Sequence, residues 1–292
     1  MNGTKQYRVG RLNYRVIFRD GVNDSSLIPS SRVFEREIDD SPLIFTLTVD
    51  DNLTPQPKGD EVGQFDCAGN NNGVYLKPDG GYQIVVSDYR GRACCLLETN
   101  ADFSVGRVKL RGDSVMRAFG LNNSLMMMYA FSAADRATLL MHSSVVRKDD
   151  KGYLFLGVSG TGKSTHTTNW LRFIPGTDLL NDDNPVVRVI DDQVLVFGSP
   201  WSGKTPCYRD VEAPVGAFVQ LKQAPFNRIS RLDTIEAYSY LVPSCSVMKW
   251  DRRVYLSISE TVGSVLEHTP VFFLENLPDE AAVQLSHSTL CS

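Results

Sequence analysis

Short apolar runs rich in β-branched and aromatic residues recur through the first hundred positions: Leu43 to Val49 (LIFTLTV), Gly73 to Leu76, Tyr82 to Ser87 (YQIVVS) and Ala93 to Leu97. Such runs predict strands. The clusters between them, PDGG at Pro78 to Gly81 and DYRGR at Asp88 to Arg92, suit hairpin turns, so the region predicts an antiparallel meander. From Leu53 to Asn72 the chain is dominated by Pro, Gly, Asn and Asp and predicts surface loop.

At Ser114 the period changes. Val115, Met116, Phe119, Leu125, Met126, Tyr129 and Ala130 recur at helical spacing, and the Met126 to Met128 triplet reads as core filler. Leu139 to Val146 and Gly152 to Leu156 predict two strands around the Lys148 to Gly152 turn. A helix is expected from Lys163 to Phe173, stopped by Pro175 and Gly176. Strands follow at Asp178 to Leu180, Val186 to Ile190, Val194 to Phe197 and Gly216 to Leu221. Helices are then expected around Asp233 to Leu241 and Arg253 to Leu266, a strand at Val271 to Leu274, and a last helix from Pro278. The pattern predicts a β-rich N-terminal lobe over 1–110 and an α/β domain over 111–292, with the boundary between residues 100 and 115.

Composition narrows the class. In 292 residues, 42% hydrophobic and 22% charged, there is material for a buried core, which excludes a disordered or coiled-coil chain. Thirty Lys and Arg against 34 Asp and Glu leave a net charge of −4, so nucleic acid is not the expected partner. No run of about 18 apolar residues suggests a membrane span, and the N-terminus has no apolar signal core, so a cytoplasmic protein is expected. The six cysteines show no C-x2-C spacing and are expected to be reduced thiols.

One motif carries chemistry. Gly157-Val-Ser159-Gly160-Thr161-Gly162-Lys163-Ser164 fits G-x-x-x-x-G-K-[ST] without a mismatch, a pattern expected by chance in roughly one chain of this length in a hundred. An apolar strand leads in and a helix leads out, the setting in which such a loop cradles phosphates. Its glycines let successive N–H groups approach oxygens, Lys163 supplies a cation for the β- and γ-phosphates, and Ser164, followed by Thr165, offers a hydroxyl to Mg²⁺. The N-K-x-D string of GTPases and the L-S-G-G-Q string of ABC ATPases are both absent.

Asp182 and Asp183 close the Asp178 strand, 19 and 20 residues after Lys163. One carboxylate there can hold Mg²⁺ while its neighbour accepts the proton of an attacking hydroxyl. His142 stands 21 residues before Lys163 on an apolar strand.

A histidine before the strand, a G-x-S-G-x-G-K-S loop and an apolar strand ending in Asp-Asp together resemble the HPr kinase/phosphorylase family. The loop is also similar to that of the phosphoenolpyruvate carboxykinases. The resemblance covers about residues 138 to 225. It implies an α/β fold with a P-loop core of that type, using ATP and Mg²⁺. Gly157, Ser159, Gly160, Thr161, Gly162, Lys163, Ser164 and Thr165 would bind nucleotide; Ser164 and Asp183 would hold the metal; Asp182, Asp183, His142 and Lys163 would be catalytic. By the same resemblance Glu212 would contact substrate or phosphoryl group, and, read from their own loop after the Val194 strand, Lys204 or Arg209 would offset charge on a transferring phosphoryl group. Around Glu212 the chain reads V-E-A-P-V-G and lacks the arginine of the family's E-I-R-G.

The expected function is therefore an ATP- and Mg²⁺-dependent phosphotransferase acting on a hydroxyl of a protein or small molecule, with a homo-oligomer plausible by the same resemblance. The alternative is a nucleotide-binding regulatory or accessory protein without phosphoryl transfer. Trp201 is a position that could pack against substrate, and Arg228 and Arg231 read as a solvated face. His166, on the helix after the loop, reads as structural or exposed.

Overall fold

Alternation of buried and half-buried positions builds most of the strands of the N-terminal half. The computed structural model describes residues 3–67, 70–203 and 205–291. The chain divides into two units, residues 1–133 with 248–251, and residues 134–247 with 252–292. The boundary thus falls past the expected position near residue 110, because the helix beginning at Ser114 packs on the sheet of the first unit.

In the first unit β1 (Gly3–Val9) and β2 (Leu12–Phe18) form a hairpin, with β3 (Glu35–Arg36) on the outer edge of β1. Then come β4 (Leu43–Val49), β5 (Glu61–Cys67), β6 (Asn70–Leu76), β7 (Tyr82–Ser87), β8 (Ala93–Thr99) and β9 (Val105–Leu110). They make one nine-stranded sheet in the order β3-β1-β2-β4-β9-β8-β7-β6-β5. The meander holds from β5 to β9, but β4 lies parallel to both β2 and β9. The expected loop before Asn72 contains β5, held by pairing with β6 rather than by its own apolar content.

Helix α1 (Ser114–Ser132) starts where the Asp113 carboxylate accepts the Met116 N–H, and it covers this sheet. Its contact is close at Gly120, where a Cβ would stand 2.9 Å from the Cys95 Cβ. Met127, Met128 and Tyr129 are buried, whereas Val115, expected on the buried face, is exposed. Tyr7, Tyr14 and Phe45 stack in series on the sheet, and Tyr129 meets Tyr14 edge-on.

The second unit opens with β10 (Thr138–Leu140), β11 (Ser143–Lys148) and β12 (Lys151–Leu156), so the expected Leu139 to Val146 strand is broken at Met141 and His142. Helix α2 (Lys163–Phe173) follows, then β13 (Asp178–Asp183), β14 (Val186–Ile190), β15 (Gln193–Phe197), β16 (Glu212–Gln223) and β17 (Arg228–Arg231). Helices α3 (Thr234–Leu241) and α4 (Arg252–His268), β18 (Val271–Asn276) and helix α5 (Glu280–Leu290) complete it. The central order is β10-β14-β15-β16-β12-β11-β13, with β18 on β16 and β17 on β18.

Two pairings position the site. β12, β16 and β18 are mutually parallel, so Leu156, Gln223 and Asn276 all stand at the carboxyl ends of neighbouring strands. That is where open parallel sheets bind ligands. β11 lies antiparallel to both β12 and β13, with Ser143 opposite Asp183 and Ser144 opposite Asp182. Trp170 of α2 is fully buried against Tyr153 and Phe155 of β12, which locks the helix onto the sheet. Together α1 and α2 with the two sheets make a mixed α/β protein. Among the described residues no helix is long and apolar enough to cross a membrane.

Candidate functional site

The turn from β12 into α2 is built on its glycines. Gly157, Gly160 and Gly162 all have positive φ, at 149°, 84° and 105°, a region that side chains with a Cβ rarely adopt. Nothing lies within 4 Å of where a Cβ would stand on Gly160 or Gly162, so backbone conformation, not crowding, demands glycine there. Gly162 caps α2 without a side chain, which leaves the first N–H groups of the helix to an external acceptor. Such a terminus favours anions. Ser159 and Thr165 are exposed beside it, and Thr161 is tied back to the Val158 carbonyl.

Lys163 is 9% exposed. Its Nζ lies 2.8 Å from the Gly157 carbonyl and 2.9 Å from His142 Nε2. An ammonium only donates, so Nε2 accepts and the imidazole proton resides on Nδ1. That Nδ1 faces Asp183 Oδ1 at 3.0 Å. The imidazole therefore stands between the carboxylate, in close polar contact at Nδ1, and the lysine, which donates to Nε2. Burial lowers the Lys163 pKa, and the negative charges of Asp183 and Asp182 oppose that shift.

The two carboxylates are not equivalent. Asp182 is 3% exposed; it accepts from the Ser164 hydroxyl at 3.1 Å and from the Thr205 N–H at 3.3 Å. Asp183 is about one-third exposed, points to His142, and accepts from Asn184 Nδ2 at 2.7 Å. Its φ of 119° is outside the usual range for a residue with a Cβ, a strain held by pairing with Ser143 and a bridge to Ser202. Ser164 thus meets Asp182 and not Asp183.

Two supports carry no motif. Buried Asn181 donates to Ser199 and Trp201 and accepts from the Asn184 N–H, fixing the turn after the aspartates. Gln223, at the end of β16, donates to the Gly160 and Thr161 carbonyls at 3.2 and 3.4 Å and so buttresses the loop. Only the parallel pairing of β12 with β16 brings it there.

Other expected contacts fall elsewhere. Arg209 binds Asp178 at 2.8 Å and the Leu179 carbonyl, at the opposite end of β13 from Asp183, five residues or about 16 Å away. Glu212 begins β16, eight positions before Gln220, the partner of Leu156, which is about 26 Å along the strand. Neither belongs to this site. Lys204 lies outside the described residues. Trp201 is buried, so it offers no face to a substrate, while Arg228 sits on β17 and pairs with Glu275. Cys94, Cys95, Cys207, Cys245 and Cys291 are free thiols, and the Cys67 side chain lies outside the described residues.

A groove of about 710 Å³ opens beside the loop between the start of α2 and the ends of β16 and β18. No group of three or more His, Cys, Asp or Glu suited to a metal exists among the described residues. The oxygen donors Asp182 and Ser164 fit a hard divalent ion of the kind that takes one or two protein ligands and completes its shell with substrate phosphates.

No family model matches the chain, and no curated protein matches it. Among solved structures, one match is the Hpr(Ser) kinase/phosphatase from Coxiella burnetii, at 14% identity and a TM-score of 0.30, covering 52% of this chain and 99% of that one. This is a distant structural likeness.

Proposed function

We propose that the second unit binds ATP on the Gly157–Ser164 loop and transfers its γ-phosphoryl group to a hydroxyl acceptor. One observation supports this above all: the loop's Lys163 and Ser164 are each coupled to a different carboxylate, Lys163 through His142 to Asp183, Ser164 directly to Asp182.

The division assigns roles. The loop N–H groups and the start of α2 neutralise phosphate oxygens, and Lys163 exchanges the Gly157 carbonyl for the β- and γ-phosphates. Ser164 and Asp182 would hold Mg²⁺, which would supply charge neutralisation on the triphosphate. Asp183, oriented by His142 and Asn184, takes the acceptor's proton as its oxygen attacks the γ-phosphorus. The bond to the β–γ bridging oxygen then breaks and ADP leaves. Charge on the transferring group is met by Lys163, whose ammonium is held in place by His142.

The test is binding and turnover in the purified chain. A thermal shift with ATP and Mg²⁺ should be lost in Lys163→Ala; ligand at about 100 times its Kd should add about 2.7 kcal/mol to the wild type. Absence of any shift with ATP, ADP or pyrophosphate refutes the proposal. A second reading, an ATP-binding accessory protein, draws on the engagement of Arg209 with Asp178, which keeps that cation from the loop. It predicts an ATP shift with no ADP release on any hydroxyl compound.

A further inference from the structure

The crest of the Gly157–Ser164 loop is held by hydrogen bonds rather than by packing. Val158 is 79% exposed, Ser159 and Gly160 are exposed, and a Cβ on Gly160 or Gly162 would meet nothing within 4 Å. Inside the loop, the Thr161 N–H and hydroxyl both donate to the Val158 carbonyl. From outside the loop and α2, the bonds that reach the 158–162 backbone among the described residues are those of Gln223. Its Nε2 donates to the Gly160 carbonyl at 3.2 Å and to the Thr161 carbonyl at 3.4 Å, which engages both of its protons.

Those two bonds fix more than two oxygens. In a trans peptide the C=O and N–H point in opposite directions, so a donor that holds one aims the other. Holding the Thr161 carbonyl on the β16 side turns the Gly162 N–H away from that strand. This N–H and the three that follow it, of Lys163, Ser164 and Thr165, meet no acceptor among the described residues. A run of such groups is a concavity for an anion. Glycine at 160 and 162 gives the peptides between them wide freedom to turn over, so a restraint from outside is what selects one orientation.

We propose that Gln223 is a positioning residue that sets the Gly160–Gly162 peptides in their anion-accepting orientation before ligand arrives, so that phosphates meet a formed site. The inference rests on the nucleotide reading of the loop. Gln223 touches no phosphate; it acts through the loop carbonyls, and its contribution is to the phosphates alone, whatever they are attached to.

The test compares the wild type with Gln223→Met, which keeps the length of the side chain and removes both donors. Equilibrium binding of inorganic tripolyphosphate and of ATP, each with Mg²⁺, is measured beside a thermal melt of the unliganded protein. Gln223→Met should weaken both ligands by the same factor, about tenfold, the net worth of two hydrogen bonds. The unliganded melting temperature should be unchanged, because the side chain is exposed and buries nothing. Wild-type affinity for tripolyphosphate in the variant, or a loss confined to ATP, overturns the inference and leaves the phosphate loop standing. A lower melting temperature of the unliganded variant makes Gln223 a structural tie and overturns it equally. Failure of the wild type to bind either ligand overturns the nucleotide reading and the inference together.

Discussion

His166 is a buried histidine whose neutrality has a measurable consequence. Its ring lies edge-on to Phe155 at 4.7 Å between centroids, with Trp170 and Ser286 at Nε2, and burial pushes its pKa down from 6.5 to about 4. The unfolded chain therefore binds a proton that the folded chain refuses throughout the window from about pH 6.5 to 4. Stability from this group is fully present above pH 6.5 and is lost as pH falls. The whole shift corresponds to about 3 kcal/mol, of which about 2 kcal/mol is lost by pH 5 relative to pH 8. The assay is urea unfolding of the second unit, followed by tryptophan fluorescence, at pH 8 and pH 5 for the wild type and His166→Phe. Because Phe does not titrate, the variant should lose about 2 kcal/mol less than the wild type over that interval, whatever its stability at pH 8. An NMR titration gives the direct check: a His166 ring signal that titrates near 6.5, or equal losses in the two proteins, refutes the reasoning.

Three further outcomes follow from the site. Asp183→Asn should reduce phosphoryl transfer by 100-fold or more, the scale of a lost general base, while ATP affinity stays within a few-fold; Asp182→Asn should weaken the Mg²⁺ dependence of binding, as seen by titrating ATP at several Mg²⁺ concentrations. Gly162→Ala, at φ 105°, should cost about 1–2 kcal/mol in a thermal or urea melt and lower nucleotide affinity, since the first turn of α2 must re-form around a strained residue. Arg209→Leu should leave nucleotide affinity unchanged and cost no more than about 1 kcal/mol, because the pair with Asp178 is partly exposed and Arg147 also binds that carboxylate at 2.8 Å.

Much of the fold was legible locally. The Lys163 to Phe173 helix and the Leu43, Tyr82 and Val186 strands have the bounds expected from apolar spacing, because a strand or helix that buries one face must repeat its apolar residues at that period. Where pairing rather than periodicity holds a segment, the pattern misleads. β5 is polar and glycine-containing and pairs with β6, and β17 reads as a solvated run yet pairs with β18. The single break at Met141 and His142, which frees the histidine from the ladder, also leaves no trace in an unbroken apolar stretch.

By itself the sequence determined the Gly157–Ser164 loop, since positive φ at three glycines followed by a helix is a local property of the chain. It also placed two carboxylates at the end of the next strand. Only the tertiary structure decided which carboxylate serves which partner: the β11–β13 register sets Ser143 against Asp183 and so His142 beside it, leaving Asp182 to Ser164. The same non-local pairing brought Gln223 and Asn276 to the loop, by running β16 and β18 parallel to β12. It also sent Arg209 and Glu212 away from the loop. Strand register is set by which faces bury together across the whole sheet, and one position of slip reverses every side chain, so no short motif encodes it.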